Sequence, residues 1–273
     1  LVQIEQSVHN ILQAHNIEKS QLGGIGLAFP SIVDSQKKRI VSKYVKFTDA
    51  TEINLEDWAF AKWGIPLAIE NDARAALVGE WQYGAGQKCN NIVMLTLGTG
   101  LGSAVLMEAK LLRGAHFLAG NLGGHMIINY QGHLCNCGLQ GCVESEASGW
   151  VLPERFANYP GLKNSGLQKN LSFKAVFNLA KAGDEVALQI KKHCLTAWSA
   201  AAINLVHAFD PELIIMGGGI MNSHDQVIPF IQQRINDDNW LPPNAVKVIA
   251  APHVEHAGIL GMGYLAEQEA VKT

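Results

Sequence analysis

At ~150 residues per domain, 273 residues make about two domains, and 48% hydrophobic against 16% charged residues can fill a core, which excludes intrinsic disorder. A net charge of −3 supplies no field to draw the chain onto phosphate backbones or anionic lipid, so nucleic acid is not expected as a partner. No apolar run approaches the ~20 residues that span a bilayer, and no basic segment leads into an apolar stretch as in a signal peptide, so the sequence reads as soluble and cytoplasmic, with no membrane partner.

Leu1, Ile4, Val8, Ile11 and Leu12 recur at helical spacing with no capping residue ahead of them, so a helix is expected to be already under way at Leu1. Leu22 to Phe29, closed by Pro30, and Arg39 to Phe47, with its alternation, read as strands. Asn54 to Trp63 reads as a helix, Gly64 to Pro66 as a break, and Leu67 to Glu70 as a strand running into Asn71-Asp72. Ala73, Ala76, Leu77 and Trp81 then form a helical stripe with Asn71 or Asp72 as its N-cap, and Gly84-Ala85-Gly86 stops it and marks a domain boundary.

From Asn91, the run IVMLTLGTGLGSAVLM predicts two strands joined by a glycine turn. A loop rich in Gly, His and Cys follows from Gly114 to Ser148, then helices near 172–182, 184–209 and 224–237. Between the last two, PELIIMGGG reads as a buried strand; Val246 to Ala250 reads as a final strand and Ala257 to Glu269 as a closing helix. Strands alternating with helices argue α/β architecture in two lobes. Residues 1–86 form the first lobe, with the helix at 257–270 packed back on it, and residues 87–256 form the second.

Four groups of residues carry possible chemistry. Gly98-Thr99-Gly100-Leu101-Gly102 joins strand to strand, which excludes the strand-to-helix fingerprint of dinucleotide folds and leaves a phosphate cradle or a tight hairpin. Gly217-Gly218-Gly219 ends an apolar strand and either faces a nucleotide or turns a corner. Asp72 at a strand end is either a proton acceptor for a hydroxyl or a helix cap. His125, Cys135, Cys137 and Cys142 follow H-x9-C-x-C-x4-C, a closed tetrahedral zinc set with no open position for a catalytic water. His133 competes as the fourth ligand, and unligated core cysteines are the alternative. Cys89 and Cys194 stand alone and read as small apolar residues.

ENDARAAL, LGTGLG, AGNLGGHM, CNCGLQGCVE and IIMGGG, in this order, resemble the ROK family of bacterial sugar kinases and sugar-responsive repressors, over roughly Gly23 to Gly263. Gly124-His125, Cys135, Cys137, Gly138, Gly141, Cys142 and Glu144 match the family's zinc loop. The resemblance implies a two-lobed actin-like/hexokinase (ribonuclease H-like) fold with its first lobe shortened, ATP and sugar in the cleft, Mg²⁺ with the nucleotide, structural Zn²⁺, and a homodimer. It makes Asp72 the general base on the phosphorylated hydroxyl of a hexose or N-acetylhexosamine. Asn71, His125 and Glu144 become sugar contacts, with His125 also on zinc. Gly98, Thr99, Gly100 and Gly102 become the phosphate loop, and Gly217 to Gly219 the adenosine-side turn.

Three departures stand out. Ala119-Gly120-Asn121-Leu122-Gly123-Gly124-His125 carries Asn where the family has a sugar-contacting Glu, with one residue more. Pro30-Ser31-Ile32-Val33-Asp34 and Asn71-Asp72-Ala73-Arg74 each differ from the family pattern at one position, Ser31 for Gly and Arg74 for Asn. The first phosphate motif, D-x-G-G-T, does not occur in these residues, so the resemblance places it ahead of Leu1 and makes weak turnover the expectation for these 273 residues alone. The alternative reading is a non-catalytic sugar sensor related to the repressors.

Overall fold

The computed structural model describes residues 1–42, 47–238, 240–242, 244–253 and 256–272. The opening helix, α1 (Val2–Ala14), buries none of its residues. It is tied down by Glu5, which accepts from Trp58 Nε1 at 2.8 Å and pairs with Lys62 at 2.8 Å. Strand β1 (Ile25–Phe29) starts later than the sequence suggests, because a single helical turn at Lys19–Gln21 precedes it. The expected strand from Arg39 to Phe47 is reduced to β3 (Arg39–Ile40), antiparallel to β2 (Val33–Asp34), and residues 43–46 lie outside the described residues. The Asp34 carboxylate accepts the N–H groups of Gln36 and Lys37 and so turns the chain between the two strands.

Helix α2 (Leu55–Trp63) begins at an Asn54 cap and ends at Gly64 in the left-handed region. Strand β4 (Leu67–Asn71) is buried throughout and pairs in parallel with β1, from Ile25↔Leu67 to Phe29↔Asn71. Helix α3 (Asp72–Tyr83) follows without a linker, and the closing helix α9 (Ala257–Ala270) packs on α3, β1 and β4. Ala68, Ala75, Met262 and Ala266 form the small core under that contact.

The second sheet has the order β7-β6-β5-β8-β9, from β5 (Ile92–Leu97), β6 (Leu101–Met107), β7 (Lys110–Leu111), β8 (Leu213–Gly217) and β9 (Lys247–Ala250). The β5–β6 hairpin is antiparallel, whereas β8 pairs in parallel with β5 and β9, so this is a mixed sheet. Two short helices, α4 (Val143–Ala147) and α5 (Leu152–Arg155), precede the longer α6 (Phe173–Lys181), α7 (Glu185–Phe209) and α8 (His224–Asn236). The main core lies between β5, β6, β8 and the helices, with Trp198 of α7 fully buried in it. Among the described residues no helix is long and apolar enough to cross a membrane.

The chain passes between the sheets twice, and both passages meet at the fully buried Glu80 near the end of α3. Its Oε2 accepts from Ala85 N at 3.0 Å and its Oε1 from His253 N at 3.1 Å. That carboxylate ties both connecting segments to α3.

Candidate active site and metal loop

The β4–α3 junction is where strand geometry gives way to helix, leaving the first helical N–H groups without intrahelical partners. Asn71 meets them: its Oδ1 accepts from Ala73 N at 2.9 Å and Arg74 N at 3.2 Å. The cap is therefore Asn71. Its Nδ2 donates to Ser31 O at 3.1 Å and to Asp72 Oδ1 at 3.0 Å, so the whole amide is engaged and orients the next residue. Asp72 is left as the first helical residue, open to solvent, with one oxygen also accepting from Ala73 N at 2.9 Å. Desolvation between the flanking segments pushes its carboxyl above the usual value, against the pull of the Ala73 N–H and the Asn71 amide.

Across the cleft, Gly98, Thr99 and Gly100 make the turn of the β5–β6 hairpin, closed by Gly98 N donating to Gly100 O at 3.0 Å. Gly149 N and Trp150 N donate to the carbonyls of Gly98 and Thr99 at 2.9 and 3.0 Å. Gly102 is not part of the turn; it lies in β6 opposite Thr96. At the end of β8, Gly218 has φ +87° with its Cα against the Leu97 carbonyl, a place where a Cβ would collide. A one-turn helix, Gly219–Ser223, leads from there into α8. The two glycine segments meet around one cavity of about 660 Å³, lined by Gly98, Thr99 and Gly219 together with Trp150, Phe173 and Asn222. Gly100, Gly102, Gly217 and Gly218 stay outside its lining. Trp150, Phe173 and Asn222 carry no sequence signal, because they lie in three separate segments that only the fold unites.

The metal loop hangs from the one-turn helix Gly123–His125 and returns at Cys142, joined by the bridge Ile127↔Cys142. Cys135 N donates to Leu139 O at 2.8 Å and Gly138 N to Cys135 O at 3.0 Å, which folds the cysteine-rich tip back on itself. Gly141, at φ +78°, lies against the Asn129 carbonyl where no side chain fits. The ligand atoms of His125, Cys135, Cys137 and Cys142 lie within 4.8 Å of one another. His125 Nδ1 is 3.6 Å from Cys135 Sγ, and the Sγ atoms of Cys137 and Cys142 are 3.7 Å apart. Tetrahedral bonds of about 2.3 Å put two sulfurs roughly 3.8 Å apart, so the donor set fits zinc. Burial and the neighbouring thiols push Cys142 up to about 12, and burial raises Cys135. Burial also raises Cys137, but the Leu139 N–H and the neighbouring thiols outweigh it and hold that thiol below its usual value. A cation bound here would draw the three thiols to their thiolate form.

His133 is outside this set: its ring faces Glu154 at 3.4 Å. Its backbone is held twice by α4, with His133 N donating to Glu146 Oε1 at 2.9 Å and Ser145 Oγ donating to His133 O at 3.0 Å. Glu146 is itself nearly buried and pairs with Arg155 at 2.6 Å and His193 at 3.4 Å. Glu144, on the same helix, is buried too. Its Oε2 accepts from Leu101 N at 2.8 Å and its Oε1 from Trp150 Nε1 at 3.1 Å, which links the metal loop to the glycine turn. Cys194 is buried in α7, and Cys89 is half-buried.

The model of the ROK family matches residues 2–269. The chain belongs to the ROK family. It is 32% identical to a glucokinase of Thermotoga maritima, an alignment covering 97% of this chain and 85% of that protein. It is 31% identical to an N-acetylmannosamine kinase of Yersinia pestis over 72% of this chain and 63% of that protein. A ROK glucokinase of Streptomyces griseus, solved with glucose and AMPPNP, superposes with a TM-score of 0.74 at 30% identity, covering 90% of this chain and 81% of that one. The two facing sheets of this ROK chain are thus the actin-like/hexokinase α/β fold. Within it, Asn121 and Arg74, which depart from the family motifs, are both buried.

Proposed function

We propose that Asp72 is the general base of this ATP-dependent sugar kinase, acting on a hydroxyl of a hexose or N-acetylhexosamine. The hydroxyl oxygen attacks the terminal phosphorus of ATP; a new P–O bond forms, the bond to ADP breaks, and the hydroxyl proton passes to the Asp72 carboxylate. The observation that carries this reading is the Asn71 cap: its Oδ1 takes the Ala73 and Arg74 N–H groups and its Nδ2 orients Asp72, which stays solvent-open and raised in basicity at the end of β4. A carboxylate needed as a cap would not be available to a substrate.

The cavity of about 660 Å³ between the β5–β6 turn and Gly219 suits the nucleotide, with Gly98 and Thr99 at its phosphate end. Gly100 completes that turn, and Gly217 and Gly218 shape the opposite wall from outside the lining. Mg²⁺, when bound with ATP, neutralises phosphate charge. His125, Cys135, Cys137 and Cys142 hold Zn²⁺ as a structural ion that keeps His125 and Glu144 at the sugar end of the cleft. Residues 1–86 with 257–270 form one lobe and 87–256 the other, a division supported by the packing of α9 on α3, β1 and β4.

The test is a panel of hexoses and N-acetylhexosamines with ATP and Mg²⁺, followed by ADP release and by isolation of the phosphorylated sugar. Phosphorylation of at least one sugar is expected. Sugar binding without phosphate transfer would favour a sensor related to the family's repressors.

A further inference from the structure

Two residues after Asp72, α3 carries Arg74, whose side chain has no exposed surface. A guanidinium so placed is costly unless its charge and donors are met. The nearest carboxylate is Glu70, also fully buried and 3.7 Å from Arg74 Nη1. Glu70 is already engaged: Arg113 Nη2 and Nε donate to its Oε2 at 2.7 and 3.0 Å, and its Oε1 accepts from Asn71 N at 2.9 Å. The shortest bonds of Arg74 go elsewhere. Its Nη2 donates to Phe117 O at 3.0 Å and to Ala119 O at 2.8 Å.

Those carbonyls belong to the loop Gly114–Asn121, which runs from β7 to the one-turn helix bearing His125. The loop's far end is fastened to its own sheet, where Ser103 Oγ donates to Gly120 O at 2.8 Å and accepts from Gly123 N at 2.7 Å. Its crest is fastened to α3, by Arg74. The crest needs a restraint, because Phe117 sits at φ +60°, a conformation a bulky L-residue rarely adopts unaided. Immediately after the crest comes Asn121, 8% exposed, with Oδ1 lacking any partner among the described residues. An acceptor buried in this way persists when a ligand donor or water completes it.

We propose that Arg74 is a positioning residue for sugar binding: by holding the Phe117 and Ala119 carbonyls against the helix of Asp72, it sets the sugar end of the cleft. The inference rests on the sugar-kinase reading and deepens it. Both carbonyls are taken by the one nitrogen Nη2, whose two N–H groups the guanidinium plane holds in fixed directions; lysine keeps the charge but puts it on a freely rotating ammonium, and glutamine keeps a donor and loses the charge.

The experiment is calorimetric titration of the parent chain, Arg74→Gln and Arg74→Lys with D-glucose, with N-acetyl-D-mannosamine and, separately, with ATP and Mg²⁺. For the sugar that the parent binds, Arg74→Gln should weaken affinity by about tenfold or more and Arg74→Lys by less, with ATP affinity within about twofold in both. Sugar affinity within twofold of the parent in folded Arg74→Gln would overturn the inference. So would equal weakening toward sugar and ATP, which signals general loosening of the cleft, and so would failure of both variants to fold, which confines Arg74 to the core. A parent that binds neither sugar would remove the sugar-kinase reading, and the inference with it; a parent that binds sugar with unchanged variants removes the arginine alone.

Discussion

The β4–α3 junction and the metal loop each bring a carboxylate to the cleft, and they do so by opposite means. At the junction, regular structure does the positioning: a fully buried strand ends, one asparagine caps the helix, and Asp72 emerges with its direction set by Asn71 and Ala73. In the metal loop no strand or long helix is available. Glu144 is placed by a turn of backbone hydrogen bonds, by α4 gripping His133, and by four side chains converging on a point. Chemistry at the junction should therefore fail without loss of structure, whereas the loop should lose structure first and function as a consequence.

The sharpest test of that contrast is Asp72→Asn. Steady-state kinetics on the sugar that the parent phosphorylates should show kcat reduced about 10²-fold or more, with sugar KM changed far less and the melting temperature preserved. Near-parent turnover would return Asp72 to a passive helix terminus and erase the difference between the regions.

In the loop, Cys137→Ser should remove the ion. Elemental analysis should fall from about one zinc per chain to well below it, and the melting temperature should drop by several degrees, since ion binding contributes on the order of 3 kcal/mol at a hundredfold excess over Kd. An unchanged melting point would mean that backbone turns suffice.

Glu146→Gln probes the same loop without touching a ligand. It leaves Arg155 without its anionic partner and weakens the hold on His133, so denaturant unfolding should show a loss of about 1–3 kcal/mol. Burial pushes the Glu146 carboxyl up, but His193, the His133 N–H and Arg155 outweigh burial and hold it below the usual carboxylate range. A carboxyl lowered on folding gives its full stabilisation above its unfolded value of about 4.3 and loses it as pH falls through the folded value. The gap between parent and variant should thus close in acid and stay constant near neutrality.

The smallest expected effect is the acid limb of kcat/KM. Asp72 must be ionised to accept a proton, and its carboxyl is raised by desolvation, so activity should fall with decreasing pH around a midpoint above about 4. A limb centred below that value would contradict the raised basicity. The loop carboxylates, being hydrogen-bonded, should not shift that midpoint when Glu146 is changed.

The sequence by itself determined what depends on neighbours along the chain. The helices expected near 172–182, 184–209 and 224–237 fall within a residue or two of α6, α7 and α8, and the structure shows local caps at the starts of the first two, Ser172 and Asp184. The Asn71-Asp72 pair marked the strand-to-helix junction, and the Cys-x-Cys-x4-Cys spacing marked the loop tip, because a turn of that length brings sulfurs together locally. Tertiary structure decided the rest. Alternation over Arg39–Phe47 suggested a strand, yet β3 ends at Ile40, since a strand needs a partner and its partner β2 is only two residues long. Which of Asn71 and Asp72 caps α3 was settled by Ser31, forty residues away, whose carbonyl fixes the amide's orientation. His133 has a ligand's spacing, but α4 turns its ring toward Glu154. Gly98 and Gly219 look alike as isolated turns and share a cavity only because β8 pairs with β5. Arg74, a charged residue beside a helix start, gave no hint of full burial; its partners Phe117 and Ala119 lie in a loop more than forty residues on, and a guanidinium's burial is governed by acceptors that only the folded chain supplies.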